Sequence, residues 1–248
     1  MSLLTNVSKG KLLKPRRTLL YGVQGCGKSS FAARWPDAIF IDIERGTEDL
    51  DITRFDCFKD GAKAWTFLVS LLNEDHQFKT LVIDTIDWMV RMLEESLAKK
   101  HGKETLADFD FGKGKAKSGA QTMRLIALLE EIAKKRGMHI LLLAHADQVK
   151  IEPPDRASFY KYNAKMTDVC AEMLKEWCDE VLFVGEEFTT KVLDEGFNQT
   201  RVIGIGDVRR VMYTTEQPGA YAKNRLGLPD KIDFTKDCFE KSYAKFLK

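Results

Sequence analysis

Apolar and polar positions along this chain alternate between two kinds of run. Short continuous apolar stretches occur at Thr18-Leu-Leu-Tyr21, Ala38-Ile-Phe-Ile-Asp-Ile43, Leu81-Val-Ile-Asp84 and His139-Ile-Leu-Leu-Leu-Ala144. Runs this short, apolar at successive positions, predict strands covered on both faces. Between them the apolar residues fall at spacings of three and four: Ala62, Trp65, Leu68, Val69 and Leu72, then Trp88 to Ala98, then Met123, Ile126, Leu129 and Ile132. That period predicts helices over about 60–73, 88–98 and 119–136, and residues 29–34 extend the pattern to a helix after the first strand. Strands that alternate with helices predict an α/β fold, a mostly parallel sheet flanked by helices.

Two segments depart from that rhythm. Residues 102–118 are rich in Gly, Lys and Asp and predict a long loop. From 181 onward, Val181–Val184, Thr189–Leu193, Arg201–Ile205 and Val208–Tyr213 read as successive strands with turns between them, an antiparallel extension on one edge of the sheet. Phe234 to Leu247 predicts a closing helix. Neither an internal repeat nor a clean linker interrupts the chain, so one domain spans 1–248: a basic lead-in at 1–17 (Lys9, Lys11, Lys14, Arg16, Arg17), an α/β core at 18–180, and the edge strands and last helix at 181–248.

Charge and cysteine content narrow the partners. With 39 basic and 37 acidic side chains the net charge is +2, so any nucleic-acid surface has to be a local patch. The five cysteines (26, 57, 170, 178, 238) are odd in number and lack a Cys-x-x-Cys pair, which argues for a reducing compartment and against a zinc site. No apolar run is long enough to cross a bilayer and no signal peptide precedes the first strand, so the expected location is cytoplasmic.

The chemistry begins at Gly22-Val-Gln-Gly-Cys-Gly-Lys-Ser29. Gly22, Gly27, Lys28 and Ser29 sit at the offsets of a phosphate-binding loop, between a strand and a helix. Glycines let the backbone curl into a ring of amide donors; the lysine reaches the β- and γ-phosphates and the serine hydroxyl reaches Mg²⁺. The nucleotide-binding set is therefore Gly22, Val23, Gln24, Gly25, Cys26, Gly27, Lys28, Ser29 and Ser30, with Cys26 placed where a thiol reagent would disturb binding. Asp84 ends an apolar strand as the magnesium-side acid does in this class, so Ser29 and Asp84 form the metal pair; a strand-end capping aspartate is the other reading. Glu44 lies just beyond the strand after the loop's helix. If that strand stands beside the loop's own neighbour, Glu44 reaches the carboxyl edge, where it either orients water or sits idle on the surface.

Ala38-Ile-Phe-Ile-Asp-Ile-Glu-Arg-Gly46 resembles the strand of RecA-type recombinase ATPases that ends in their catalytic glutamate. The order phosphate loop, Glu strand, Leu81-Val-Ile-Asp-Thr85 and Leu141-Leu-Leu-Ala-His145 is similar to that family too. Within it the chain is most like the short phage-encoded RecA-core ATPases, including Sak-type single-strand annealing proteins, which carry a stretch like Asp110-Phe-Gly-Lys-Gly-Lys115 and a Lys-x-Arg like Lys223-Asn-Arg225. The resemblance covers roughly 17–229. It implies a RecA-like P-loop fold and Mg-dependent ATP hydrolysis with Glu44 and Lys28 in catalytic roles. It also implies that His145 senses the γ-phosphate in place of the usual Gln, and that Lys223 and Arg225 act in trans across the subunits of a ring or filament. As a strand-end histidine and an exposed basic loop, the last three have plainer readings.

The resemblance further implies single-stranded DNA as partner, in phage recombination, replication or annealing, bound by loops after the Asp84 and His145 strands. Two segments fit: 111–118 with Lys113, Lys115 and Lys117, and 150–165 with Arg156, Phe159, Tyr160, Lys161 and Tyr162. Cations track phosphates while aromatic rings stack on bases. Solvated lysines and packed aromatics are the alternative, and with it a nucleotide-switched assembly ATPase that does not bind DNA. A small-molecule kinase fits less well, because no arginine-rich lid is visible.

Overall fold

The computed structural model describes residues 7, 9, 10, 14–110, 112–196 and 199–247, with only the backbone of 190–202. Lys11 of the basic lead-in and Phe111 of the lysine-rich segment lie outside the described residues. Nine strands form one sheet in the order β3-β2-β4-β5-β1-β7-β8-β9, with β6 paired to β5 off that path. The strands are β1 (Arg17–Gly22), β2 (Ala38–Asp42), β3 (Thr53–Asp56), β4 (Thr80–Asp84), β5 (His139–Ile151), β6 (Phe159–Ala164), β7 (Glu180–Gly196), β8 (Gln199–Tyr213) and β9 (Lys231–Asp233). β3, β2, β4, β5, β1 and β7 are parallel to their neighbours, whereas β8 and β9 add antiparallel to the β7 edge. The α/β architecture expected from the pattern, mostly parallel with an antiparallel edge, is the one found.

The alternation of side chains along each strand sorts them into two cores. Leu19, Ile41, Ile83, Leu142 and Val181 face the helices α2 (Gly61–Asn73), α3 (Ile86–Lys100), α4 (Lys113–Arg136) and α5 (Asp168–Trp177). Leu20, Phe40, Val82, Leu141, Leu143 and Leu182 face α1 (Lys28–Ala32) and the C-terminal segment, through Phe31, Trp35, Phe239 and Tyr243. Both sets are buried, which is why these strands are apolar at successive positions.

Several sequence expectations are corrected. Residues 102–118 are not one loop: a 3-10 turn spans Leu106–Asp108 and α4 starts at Lys113 rather than 119. The glycines there serve close packing. A Cβ on Gly114 would lie 2.3 Å from the Leu106 carbonyl oxygen, and one on Gly119 would lie 2.9 Å from Val169. Residues 150–165 likewise contain the hairpin of β5 and β6, with Ala146 opposite Ala164 and Ile151 opposite Phe159. The four short strands after 181 merge into two long ones, because the turns expected at 185–188 and 206–207 lie opposite each other and are absorbed as the register shift between Glu187 and Thr189. The closing helix is only a π turn (Phe239–Tyr243) and a 3-10 turn (Ala244–Phe246). Neither β3 nor α5 was anticipated. α5 is legible afterwards, since Cys170, Ala171 and Leu174 make its buried stripe.

At the amino edge of the sheet a charged network ties the strand starts together. Asp179, fully buried, accepts from Arg17 at 3.0 Å, Lys14 at 2.9 Å and Arg225 at 3.1 Å. Burial alone would raise its carboxyl, but the Arg17 and Lys14 hydrogen bonds outweigh that and hold it far below the usual range. Beside it, the His139 ring accepts the Arg16 amide through Nδ1 at 2.9 Å and is therefore neutral. Burial and the Arg16 charge push His139 from 6.5 down to about 4.

A depressed histidine favours folding only while it stays neutral, so its contribution is complete above pH 6.5 and is lost as pH falls toward 4. The urea midpoint is expected to drop across that window. In His139→Gln, which keeps an acceptor for Arg16 but cannot titrate, the drop is shallower; equal slopes in the two proteins would remove His139 as the cause.

Candidate nucleotide site

Parallel strands bring their carboxyl ends to one edge, and register decides which residues meet there. Gly22 at the end of β1 is level with His145 on β5, and Asp84 at the end of β4 is level with Asp42 on β2. β5 separates β4 from β1, so β2 does not stand beside a neighbour of β1 and the strand order on which the placing of Glu44 was conditional is not the one found. Glu44 reaches the edge all the same, on the turn that follows β2.

The loop after β1 has the shape its glycines suggest. Gly25 and Gly27 adopt φ of 73° and 103°, in the left-handed region that favours glycine. Gly22 is required for another reason: a Cβ there would sit 2.5 Å from the Val184 carbonyl oxygen on β7. Gly27 precedes Lys28 at the start of α1. The Lys28 ammonium, buried, donates to the carbonyls of Gly22 at 3.1 Å and Val23 at 2.9 Å, which places it over the loop. Cys26 is buried and burial raises its thiol, so the sensitivity to thiol reagents expected from its position is blunted.

Ser29 donates its hydroxyl to Asp84 Oδ2 at 2.6 Å, so the two residues proposed as the metal pair are in contact. Burial first, and then the charges of Asp42 and Glu44, raise the Asp84 carboxyl to about 6 despite the Ser29 hydrogen bond. Carboxylates packed this closely, with one exposed-face hydroxyl between them and the loop, fit a small hard cation. Among the described residues no group of three or more His, Cys, Asp or Glu could enclose a metal. The Ser29 hydroxyl and the Asp84 carboxylate are oxygen donors of the kind that Mg²⁺ takes, one or two from protein with phosphate and water completing its shell.

Glu44 accepts from the Thr85 hydroxyl at 2.6 Å and its carboxylate lies 3.9 Å from His145 Nδ1. Its turn is held by Asp42, which is buried and accepts from the Thr47 hydroxyl and the Gly46 amide. His145 is clamped by Asp87, which accepts from the His145 backbone N–H at 3.1 Å and contacts the ring Nδ1 at 2.9 Å. The Asp87 hydrogen bond raises the His145 imidazole above its ordinary value against an opposing burial effect. Sequence reading missed Asp42, Thr85 and Asp87. The available signal for Asp87 was an acid in the first turn of the helix that follows β4, a position that starts beside the strand ends.

Two cavities flank this group. One of about 500 Å³ is lined by Gln24, Glu44, Asp87, Trp88, His145 and Lys165, beside the phosphate loop. Another of about 450 Å³ continues from Gly27 past Phe31, Arg34, Arg210, Phe234 and Phe239, and has the size and the aromatic walls for a nucleoside. No sequence motif marked it, because its walls come from α1, β8 and the C-terminal segment.

The remaining candidates lie elsewhere. Lys223 and Arg225 are at the opposite, amino edge: the Lys223 ammonium caps the carbonyls of Lys175 and Glu176 at the end of α5, and Arg225 pairs with Asp179. Lys113 and Lys115 are exposed on the first turn of α4, Lys113 paired with Asp110, while Lys117 is half-buried 5.8 Å above the Phe109 ring. On β6, Tyr160 is 63% exposed, whereas Lys161 is buried against Glu216 and the Tyr221 ring. Tyr162 stacks on Phe183 with ring centres 4.9 Å apart, and Phe159 is half-buried. Arg156 is exposed and paired with Asp155. No helix among the described residues is long and apolar enough to cross a membrane.

Comparison with protein families matches residues 14–226 to AAA_24, described as an AAA domain. Comparison with curated proteins gives no match. Among solved structures, the crystal structure of the RadB recombinase is similar over 91% of this chain and 90% of that one, with 14% identity and a TM-score of 0.49.

Gly22→Ala is expected to force β1 from β7 and to disturb the phosphate loop, at a cost of about 1–3 kcal/mol. A lower denaturant midpoint and lost binding of a fluorescent nucleotide would register it. Gly46→Ala, with nothing within 4 Å of its added Cβ, serves as the control; equal behaviour of the two would contradict the close-approach argument.

Proposed function

The chain belongs to the AAA_24 family of AAA domains, and on that premise we propose that it binds Mg·ATP and hydrolyses it, acting on single-stranded DNA in phage recombination, replication or strand annealing. The observation that carries the ATPase reading is the meeting of Lys28, Ser29, Asp84, Glu44 and His145 at one sheet edge beside the phosphate loop. The DNA and phage parts rest on the RecA-type resemblance of residues 38–46, 81–85 and 141–145.

Each residue has a task that its surroundings permit. The loop amides and the Lys28 ammonium receive the β- and γ-phosphates, with Lys28 exchanging its carbonyl partners for phosphate oxygens. Ser29 and Asp84 would hold Mg²⁺, which when bound neutralises charge on those phosphates. Glu44, anchored by Thr85, orients a water in the adjoining cavity and accepts its proton as the water oxygen attacks phosphorus and ADP leaves. His145, held by Asp87, donates toward the terminal phosphate. The base lies in the second cavity against Phe31 and Phe234, whose rings are 5.5 Å apart. Lys223 and Arg225, at the far edge, reach a neighbouring subunit's phosphate in a ring or filament.

A nucleotide-switched assembly protein is the second reading. It is favoured by one observation: Lys161 and Tyr162, two of the residues expected to meet DNA, point into their own fold.

Steady-state hydrolysis with and without a single-stranded oligonucleotide separates these readings. Glu44→Gln is expected to lower kcat roughly 10²–10⁴-fold while nucleotide still binds. Stimulation by DNA that the variant lacks supports the first reading; Glu44-dependent turnover indifferent to DNA supports the second. Arg225→Ala is expected to lose activity with a dependence on protein concentration, and unchanged turnover at every concentration would refute a trans role. Phe234→Ala should raise KM for ATP several-fold with kcat little altered.

A further inference from the structure

Beside the cavity that Glu44 and His145 line, side chains from three separate segments form an alternating stripe of cations and rings. The Arg45 guanidinium lies 4.8 Å from the Phe58 ring centre. The Lys59 ammonium lies 5.1 Å from that ring and 5.0 Å from the ring of Trp88, bridging the two. The Arg91 guanidinium closes the row 4.8 Å from Trp88. Arg45, Lys59 and Arg91 are exposed, and Phe58 is 43% exposed, a large apolar ring left facing water.

Two features set this stripe apart from incidental surface packing. Arg45 and Lys59 hold φ of 55° and 48°, in the left-handed region where side chains other than glycine are strained. Such strain persists where surrounding contacts impose it and gathers at binding sites. Lys59 is also tied back to the end of β2, its amide donating to the Ile43 carbonyl at 3.3 Å. The acids nearby leave the cations usable. Asp56 on Arg45 and Glu95 on Arg91 form pairs exposed on both sides, the kind that exchange partners at little cost. Asp60 is occupied capping α2 through the Lys63 amide, and Lys59 has no acidic partner among the described residues.

We propose that this stripe of Arg45, Phe58, Lys59, Trp88 and Arg91 binds single-stranded nucleic acid, with bases stacked on the two rings and phosphates on the three cations. A flexible strand presents the same alternation of flat apolar rings and anions, and stacking of this kind is indifferent to sequence. The stripe also explains how such a strand would reach the chemistry. Arg45 follows Glu44 directly in the chain, and Trp88 follows Asp87, the residue that clamps His145, so two members of the stripe are covalently joined to groups of the proposed ATPase site. The inference rests on the DNA-binding reading above, and relocates its contact from the lysines of α4 and the β5–β6 hairpin.

The test is the anisotropy of a labelled oligothymidylate titrated with the full chain over a range of salt. Phe58→Ala is expected to weaken binding roughly 5–100-fold. Lys59→Ala should weaken it less and reduce the slope of log affinity against log salt by about 0.7. Tyr160→Ala, Arg156→Ala and Lys113→Ala should stay within about two-fold of wild type. Wild-type binding with Phe58→Ala and Lys59→Ala both unaffected would overturn the stripe and leave the DNA reading standing, all the more if the hairpin or α4 variants lose affinity. A wild-type protein that binds no oligonucleotide at low salt would overturn both.

Discussion

Apolar side chains on both faces of β5 hold it between β1 and β4, and every group of the site takes its position from that insertion. Leu141 and Leu143 pack toward α1 while Ile140 and Leu142 pack toward α3 and α4, so the strand is stable only in the middle of the sheet. In that place it puts His145 level with Gly22 and leaves a gap of one strand between the phosphate loop and Asp84. The gap lets Ser29 reach Asp84 across the edge and leaves room for Glu44 on the next turn.

The same edge concentrates negative charge. Asp42, Glu44, Asp84 and Asp87 converge there, with His145 in contact with Asp87 and the Lys28 charge near enough to act on Asp84. Three of the carboxylates are tied to neighbours away from the phosphate loop: Asp42 to its own turn, Glu44 to Thr85, Asp87 to His145. Asp84 is left with one hydroxyl, and burial beside its neighbours makes its ionised form costly. A site in that condition gains most from a cation, which is the electrostatic reason for reading it as the metal side of a nucleotide pocket.

At the opposite edge the balance is reversed. Asp179 gathers Lys14, Arg17 and Arg225 around one buried carboxylate, and the pairing anchors the starts of β1 and β7. A buried carboxylate stripped of its partners is strongly destabilising, so Arg225 leaves this network only if Lys14 and Arg17 remain. Arg225 itself is about half exposed while it pairs with Asp179, so part of its side chain stays open to solvent at the amino edge.

Much of this was legible in the sequence. The offsets of Gly22, Gly27, Lys28 and Ser29 are dictated by backbone geometry within one turn, and the buried strands announce themselves by continuous apolar runs, so the loop, the core strands and the acids at their ends could be read directly. What escaped was set by residues distant in the chain. Glycines at 114 and 119 imitate a flexible loop, yet they exist because Leu106 and Val169 approach too closely for any side chain. Lys161 and Tyr162 read as a basic, aromatic loop until β6 pairs with β5 and turns them inward. Phe58, Lys59 and Trp88 have no spacing in common, and only the strand order β3-β2-β4, which sets the turns after β3 and β4 on either side of the turn after β2, makes them neighbours. Local chemistry, being a matter of short offsets, was determined by the sequence alone; which faces meet, and therefore which charges and rings are free to act, was decided by strand order and register in the folded sheet.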